Sequence, residues 1–174
     1  MYNDYDSIIQ SASERYNVDA SLIKAVIMTE SSFKEDVTSS AGACGLMQLM
    51  PTTFEAVKDS NYTNIFDAEQ NINTGTKLLS QLLSESDSVE IALAKYNAGS
   101  GNVKRYGYEK YSNYYNKVLE NQKLFANENL SANSESTAKK GEVNTGFSLD
   151  STTEIIVIFG VAILALFFIF KGVC

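Results

Sequence analysis

The chain of 174 residues has no histidine, no tryptophan, one proline and two cysteines. Without histidine there is no Ser-His-Asp triad, no Cys-His nucleophile pair and no HExxH zinc site. Cys44 and Cys174 sit in unlike sequence surroundings and make no disulfide framework. Basic residues are scarce, with 14 Lys and Arg against 21 Asp and Glu and a formal net charge of −7. A surface that neutralises phosphates needs the opposite balance, so nucleic acid is excluded as a partner. Asn3-Asp4-Tyr5-Asp6 lacks the glycine and distal glutamate of a calcium loop, and no metal or cofactor is implied. The opening MYNDYDSIIQ is acidic, with neither a basic stretch nor a long apolar core. No secretory signal peptide is expected there.

What is present is helical periodicity. Hydrophobic residues make up 44% of the chain, enough for the core of one modest domain. Asp6 reads as the cap of a first helix carrying Ile8, Ile9, Ala12 and Tyr16. Asp19 reads as the cap of a second. There Ile23, Val26, Ile27 and Glu30 fall at i, i+3, i+4 and i+7, which puts Glu30 on the buried stripe near the helix end. A carboxylic acid desolvated there has a raised pKa, as a general acid near neutrality requires. The same position also suits a solvated residue beyond the helix, or a partner for Lys34.

A polar loop over residues 31–40 leads into Ala41-Gly42-Ala43-Cys44-Gly45, a stretch small enough for a tight turn or close backbone approach. Cys44 reads as a small packing residue, since no histidine can activate it. Gln48 lies in an apolar run and needs a partner, either a core group or the hydroxyl or amide of a sugar. An unpaired buried amide costs about 1–3 kcal/mol. Pro51 can start a helix through Phe54 and Val57. Asp67-Ala68-Glu69-Gln70 resembles a capping box ahead of Ile72, Leu79 and Leu83, and Gly75 allows a close contact. Val89, Ala92, Leu93 and Tyr96 repeat the helical spacing, and Asn97-Ala98-Gly99-Ser100-Gly101 ends it. Tyr106, Tyr108, Tyr111, Tyr114 and Tyr115 crowd one segment. They either cover the core or offer rings to sugar faces.

Past residue 126 the composition turns to Asn, Ser, Glu, Thr, Lys and Gly. Residues 127–150 read as a flexible linker with a reach on the order of 27 Å. Ile155 to Phe170 is an unbroken apolar run, IIVIFGVAILALFFIF. As a helix it rises about 24 Å, against a hydrocarbon core of about 30 Å. Neighbouring small residues and a snorkelling Lys171 make a short span feasible. The expected organisation is a catalytic domain over residues 1–126, a linker over 127–150 and a single transmembrane anchor in the lipid bilayer over 151–174.

Four strings appear in order: Glu30-Ser31-Ser32-Phe33; Ser39-Ser40-Ala41-Gly42-Ala43-Cys44-Gly45-Leu46-Met47-Gln48-Leu49-Met50-Pro51; Asn71-Ile72-Asn73-Thr74-Gly75; and Ala94-Lys95-Tyr96-Asn97-Ala98-Gly99 with Gly101-Asn102-Val103. Together they resemble the Slt-type lytic transglycosylase domain, over roughly residues 5–124. The resemblance implies an all-α, lysozyme-like fold acting on peptidoglycan glycan strands. It implies Glu30 as the single catalytic acid/base, with the Tyr96 hydroxyl contacting it and Asn97 following. It places Ser39 near the scissile sugar, Gln48 on the cleft wall and Tyr114 as a cleft tyrosine. The implied reaction cleaves the MurNAc–GlcNAc β-1,4 bond and leaves a 1,6-anhydromuramyl end. The alternatives are a goose-type lysozyme-like hydrolase and a membrane-anchored peptidoglycan-binding module. Glu35, Asp36 or Glu69 would restore two-carboxylate hydrolysis if one lay about 6.5–9.5 Å across the cleft. The sequence departs from the family at Lys95, where alanine is usual, and over residues 107–112, which lack the usual prolines. A wall-cleaving domain belongs on the cell-wall side, with Lys171 inside. A bacteriophage virion with an internal membrane would deliver such a chain, as would a differently translocated bacterial protein.

Overall fold

A computed structural model describes the backbone of residues 3–139 and the side chains of residues 4–127. Seven α-helices are found there: α1 (Asp6–Tyr16), α2 (Ala20–Ser31), α3 (Pro51–Val57), α4 (Ala68–Ser84), α5 (Val89–Ala98), α6 (Ser100–Tyr106) and α7 (Ser112–Lys139). Short 3-10 turns occupy Asn3–Tyr5 and Glu109–Tyr111. The expected all-α class holds for the described residues, whose β content is two isolated bridges, Thr38 to Cys44 and Cys44 to Leu49.

Local chemistry sets most helix starts. Asp19 accepts from the N–H groups of Ser21 and Leu22 at the head of α2, satisfying donors that a helix start leaves open. Pro51 occupies the first turn of α3, where its missing N–H costs nothing. Asp67 caps α4 through the Gln70 N–H (2.9 Å), and Ser88 caps α5 through that of Ile91 (3.3 Å). Two expected caps differ. Asp6 lies inside α1, whose N-cap is Tyr5, and Asp6 pairs instead with Lys24 (2.7 Å). Gln70 does not close a box with Asp67, because its Oε1 accepts from the Thr63 and Asn64 N–H groups.

α2 runs through the core. Ile23, Val26 and Ile27 are 0% exposed, each contributing about 1.5–3 kcal/mol by leaving water. α7 packs along α2 and α1 flanks it. Asn121 of α7 donates to the Thr29 hydroxyl (3.0 Å), and the ring of Phe125 meets that of Phe33 edge-on at 6.1 Å. These contacts hold the C-terminal end of α2 in register with α7. Helix continues through residues 127–139, the first part of the stretch whose composition reads as linker. No proline or glycine interrupts it before Gly141, so the backbone meets no breaker. The expected membrane segment, residues 155–170, lies outside the described residues. Among the described residues no helix is long and apolar enough to cross a membrane.

Candidate active site

Glu30 occupies the last turn of α2, half-buried on the stripe of Ile23, Val26 and Ile27. Ser32 then turns the chain in the left-handed region (φ 53°), its N–H bonding to the Met28 carbonyl. Burial pushes the Glu30 carboxyl up to about 7, while a hydrogen bond from Tyr114 pulls it back. The Tyr114 hydroxyl donates to Glu30 Oε1 at 2.6 Å, the length of a charge-assisted bond. Among the described residues no ion pair joins Glu30 to Lys34. The alternatives of a solvated or lysine-paired glutamate are therefore set aside.

The facing wall is the loop between α2 and α3. Cys44 and Leu49 exchange both backbone hydrogen bonds (2.9 and 3.0 Å), and the Gly45 N–H reaches Val37 O (2.9 Å). Ser39 Oγ accepts from the Ala43 N–H (3.0 Å), which ties its turn. Gln48 sits at φ 48°, and its Nε2 donates to the Val37 (3.0 Å) and Gly45 (2.9 Å) carbonyls. Its amide hydrogens thus serve the loop, and its carbonyl oxygen is the group left to meet a ligand. Asn71 of α4, 0% exposed, pins this wall from behind. It accepts from the Met47 N–H (2.8 Å) and donates to the Cys44 (3.1 Å) and Ile65 (2.7 Å) carbonyls. Gly45 has φ 75°, and a Cβ there would collide with the Asn71 amide. Cys44 is buried with its thiol on the Gly42 carbonyl (3.4 Å), as expected of a packing residue.

Tyr96 departs from its expected contact. Its hydroxyl donates to the Met47 carbonyl (2.9 Å), so α5 braces the loop through it. The hydroxyl on Glu30 belongs to Tyr114. Both phenols lie near Glu30 and are pushed well above their ordinary pKa, by burial first and then by the Glu30 charge. Both therefore remain protonated donors.

Between these elements lies a cleft of about 260 Å³ whose lining includes Glu30, Ser39, Gln48, Met50, Tyr96 and Asn97. It continues past Met50, Thr53, Leu78, Tyr96 and Asn97 into a second hollow of about 360 Å³. Among the described residues Glu30 is the sole carboxylate lining either. Glu35 instead accepts from the Tyr5 hydroxyl (3.2 Å), Glu69 lines a separate hollow with Ser7 and Ile8, and Asp36 is on neither wall. Tyr106, Tyr108, Tyr111 and Tyr115 do not line the cleft either. Tyr106 carries Lys110 Nζ 4.1 Å above its ring, and Tyr108 packs on Tyr115 at 6.2 Å. Sequence reasoning missed the bracing role of Asn71 and the wall residues Met50, Thr53 and Leu78. A polar residue beside Ile72 at the head of an apolar helix face was the available signal for Asn71.

One acid raised toward neutrality, two phenols and an open cleft together can supply general-acid chemistry. The chain belongs to the transglycosylase SLT domain family, whose pattern matches residues 7–119. It is 42% identical to a transglycosylase of Enterobacteria phage PRD1 over 113 residues, covering 65% of this chain and 41% of that one. It is 39% identical to the membrane-bound lytic murein transglycosylase C of Edwardsiella ictaluri, covering 58% of this chain and 33% of that one. Its fold matches the lytic transglycosylase Slt of Pseudomonas aeruginosa with a TM-score of 0.64 at 23% identity, over 72% of this chain and 24% of that one. The chain thus spans less than half the length of these relatives.

Proposed function

We propose that this chain is a peptidoglycan lytic transglycosylase that cleaves the MurNAc–GlcNAc β-1,4 bond and closes a 1,6-anhydromuramyl ring. The observation that carries the reading is the lone carboxyl: Glu30, raised to about 7, is the only acid among the described residues that line the cleft. Glycosidases that activate water generally use two carboxylates. An internal nucleophile removes that need, because a hydroxyl of the same sugar acts at high effective molarity.

Protonated Glu30 gives its proton to the glycosidic oxygen as the bond to C1 breaks. The substrate's N-acetyl group stabilises the developing cation. Glu30, now a carboxylate steadied by the Tyr114 hydroxyl, takes the proton from the muramyl C6 hydroxyl as that oxygen bonds to C1. The proton balance closes on one residue, and water is not consumed. Ser39, Asn97 and the Gln48 carbonyl oxygen are the polar groups proposed to hold the sugar. Tyr96 contributes by fixing the Met47 carbonyl and with it the wall that carries Gln48.

The similarity to a phage transglycosylase and to membrane-bound bacterial ones supports a chain that works at an envelope. We assign residues 155–170 to a membrane anchor, with the domain on the cell-wall side. A virion that carries the enzyme to open the wall locally during infection accounts for both features.

The test treats purified peptidoglycan with the full chain and with its Glu30→Gln variant, and reads the fragments by mass spectrometry. Anhydromuramyl ends made by the parent alone are expected. Reducing ends would transfer the chain to the hydrolases. Absence of Glu30-dependent cleavage would leave a binding module.

A further inference from the structure

Lys95 lies on α5 beside Tyr96 and lines the hollow that continues the Glu30 cleft. Its Nζ donates to the Glu85 carbonyl (3.1 Å) and to Ser86 Oγ (2.9 Å). Both acceptors are neutral. An ammonium group has three donors, so one N–H is left, and the charge forms no ion pair among the described residues. The other half-buried lysines among the described residues are treated differently. Lys24 meets Asp6 at 2.7 Å, Lys58 meets Glu55 at 2.9 Å and Lys77 meets Asp59 at 2.9 Å. Lys95 meets no such carboxylate among the described residues. A cation at the end of α4 is ordinary helix chemistry, and it accounts for the two bonds. It does not supply the third acceptor or the counter-charge.

The two bonds also fix the ammonium in place, so a ligand need not order it. The chain has a net charge of −7, and a tethered cation on the wall of a cleft, outside any ion pair of the described residues, is suited to an anionic group such as a carboxylate. Glycan strands of peptidoglycan carry carboxylates on the stem peptides of their muramyl residues. We propose that Lys95 binds a stem-peptide carboxylate on the sugar unit lying beyond the Glu30 centre, and so selects peptide-bearing strands whose carboxylates are not amidated. The proposal rests on the transglycosylase reading above and adds a specificity contact to it.

The test measures binding, so cleavage does not interfere. The full chain carrying Glu30→Gln is titrated calorimetrically with a synthetic muramyl disaccharide bearing a stem peptide. The ligand is made as the free acid and as the carboxamide, and a peptide-free disaccharide with its lactyl carboxylate exposed is the third ligand. The acid is expected to bind about 10-fold tighter than the amide, the range of a hydrogen bond to a charged group. Adding Lys95→Met should bring that ratio to about one, and adding Lys95→Arg should preserve it, which separates charge from folding. A ratio near one before Lys95 is changed overturns the proposal. So does a ratio that survives Lys95→Met. If Lys95→Met weakens the peptide-free ligand and leaves the acid unchanged, the lysine serves the lactyl carboxylate and the stem assignment is wrong. Failure of the underlying reading is seen separately, in the fragments made by the parent chain, whose reducing ends or lack of cleavage leave these binding ratios untouched; a Glu30→Gln chain that binds none of the three ligands overturns the proposal.

Discussion

Replacing Glu30, the proposed acid, should make the protein more stable, but only at neutral and alkaline pH. Glu30 is raised from 4.5 to about 7, chiefly by burial. The folded state therefore holds a proton that the unfolded chain releases across that interval. Stability must fall as pH rises through the window from about 4.5 to about 7, and level off above it. A shift of this size at about 1.4 kcal/mol per unit amounts to roughly 3 kcal/mol. Glu30→Gln removes the titration while its carbonyl oxygen still accepts from Tyr114, and the open cleft supplies water to the new amide hydrogens. Near pH 4 the two chains should have similar stability. By about pH 8 the variant should be ahead by up to roughly 3 kcal/mol, a melting shift on the order of 10 °C for a domain of this size. Urea unfolding of both full chains across the pH range provides the comparison, and taking the difference cancels groups common to both. A gap that does not change with pH, or one that widens toward acid, would refute the assignment of burial as the cause. Activity should be lost in the variant at every pH.

Tyr114→Phe removes the 2.6 Å bond to Glu30 and leaves burial unopposed, so the Glu30 pKa should rise by about one unit. The alkaline limb of the pH–rate profile should move upward while kcat falls, and a limb that stays put would place the hydroxyl elsewhere. Asn71→Ala strips two hydrogen bonds from the loop wall and one from Ile65, and should cost about 3 kcal/mol or more in urea unfolding. Gly75→Ala puts a Cβ 2.5 Å from Met47 Sδ and 2.9 Å from Met47 Cβ. It should destabilise by about 1–3 kcal/mol and raise KM, because Met47 adjoins Gln48.

The parts legible in the sequence are those written in local chemistry. Asp19 and Asp67 accept from N–H groups within three residues of themselves and Pro51 opens α3, and the stripe of Ile23, Val26, Ile27 and Glu30 follows from helical period alone. Asp6 was misread because a carboxylate near a helix start can cap it or sit in its first turn. Which of these occurs depended on Lys24, on another helix. The loop wall was less legible, since its two bonds to Asn71, from Met47 and to Cys44, span 24 and 27 residues. No periodicity reports a contact of that kind.

The two tyrosines show what decides such contacts. Tyr96 falls at the right phase on α5 to face the cleft, and it does line it. Phase fixes the direction of a side chain but not which acceptor its hydroxyl meets. The acceptor depends on how far the loop reaches toward α5. Asn71 and Gly75 draw Met47 inward, Gly75 by having no side chain where Met47 packs, and the Met47 carbonyl then takes the Tyr96 hydroxyl. Glu30 is left to α7, which lies along α2 and carries Tyr114 to it. The division is consistent with the chemistry. A carboxyl that must give up and regain a proton is better served by one hydroxyl donor than by two, since each further donor would lower its pKa toward the ordinary carboxylate range. With Tyr96 turned to the loop, burial prevails over hydrogen bonding at Glu30, and the acid stands near neutrality.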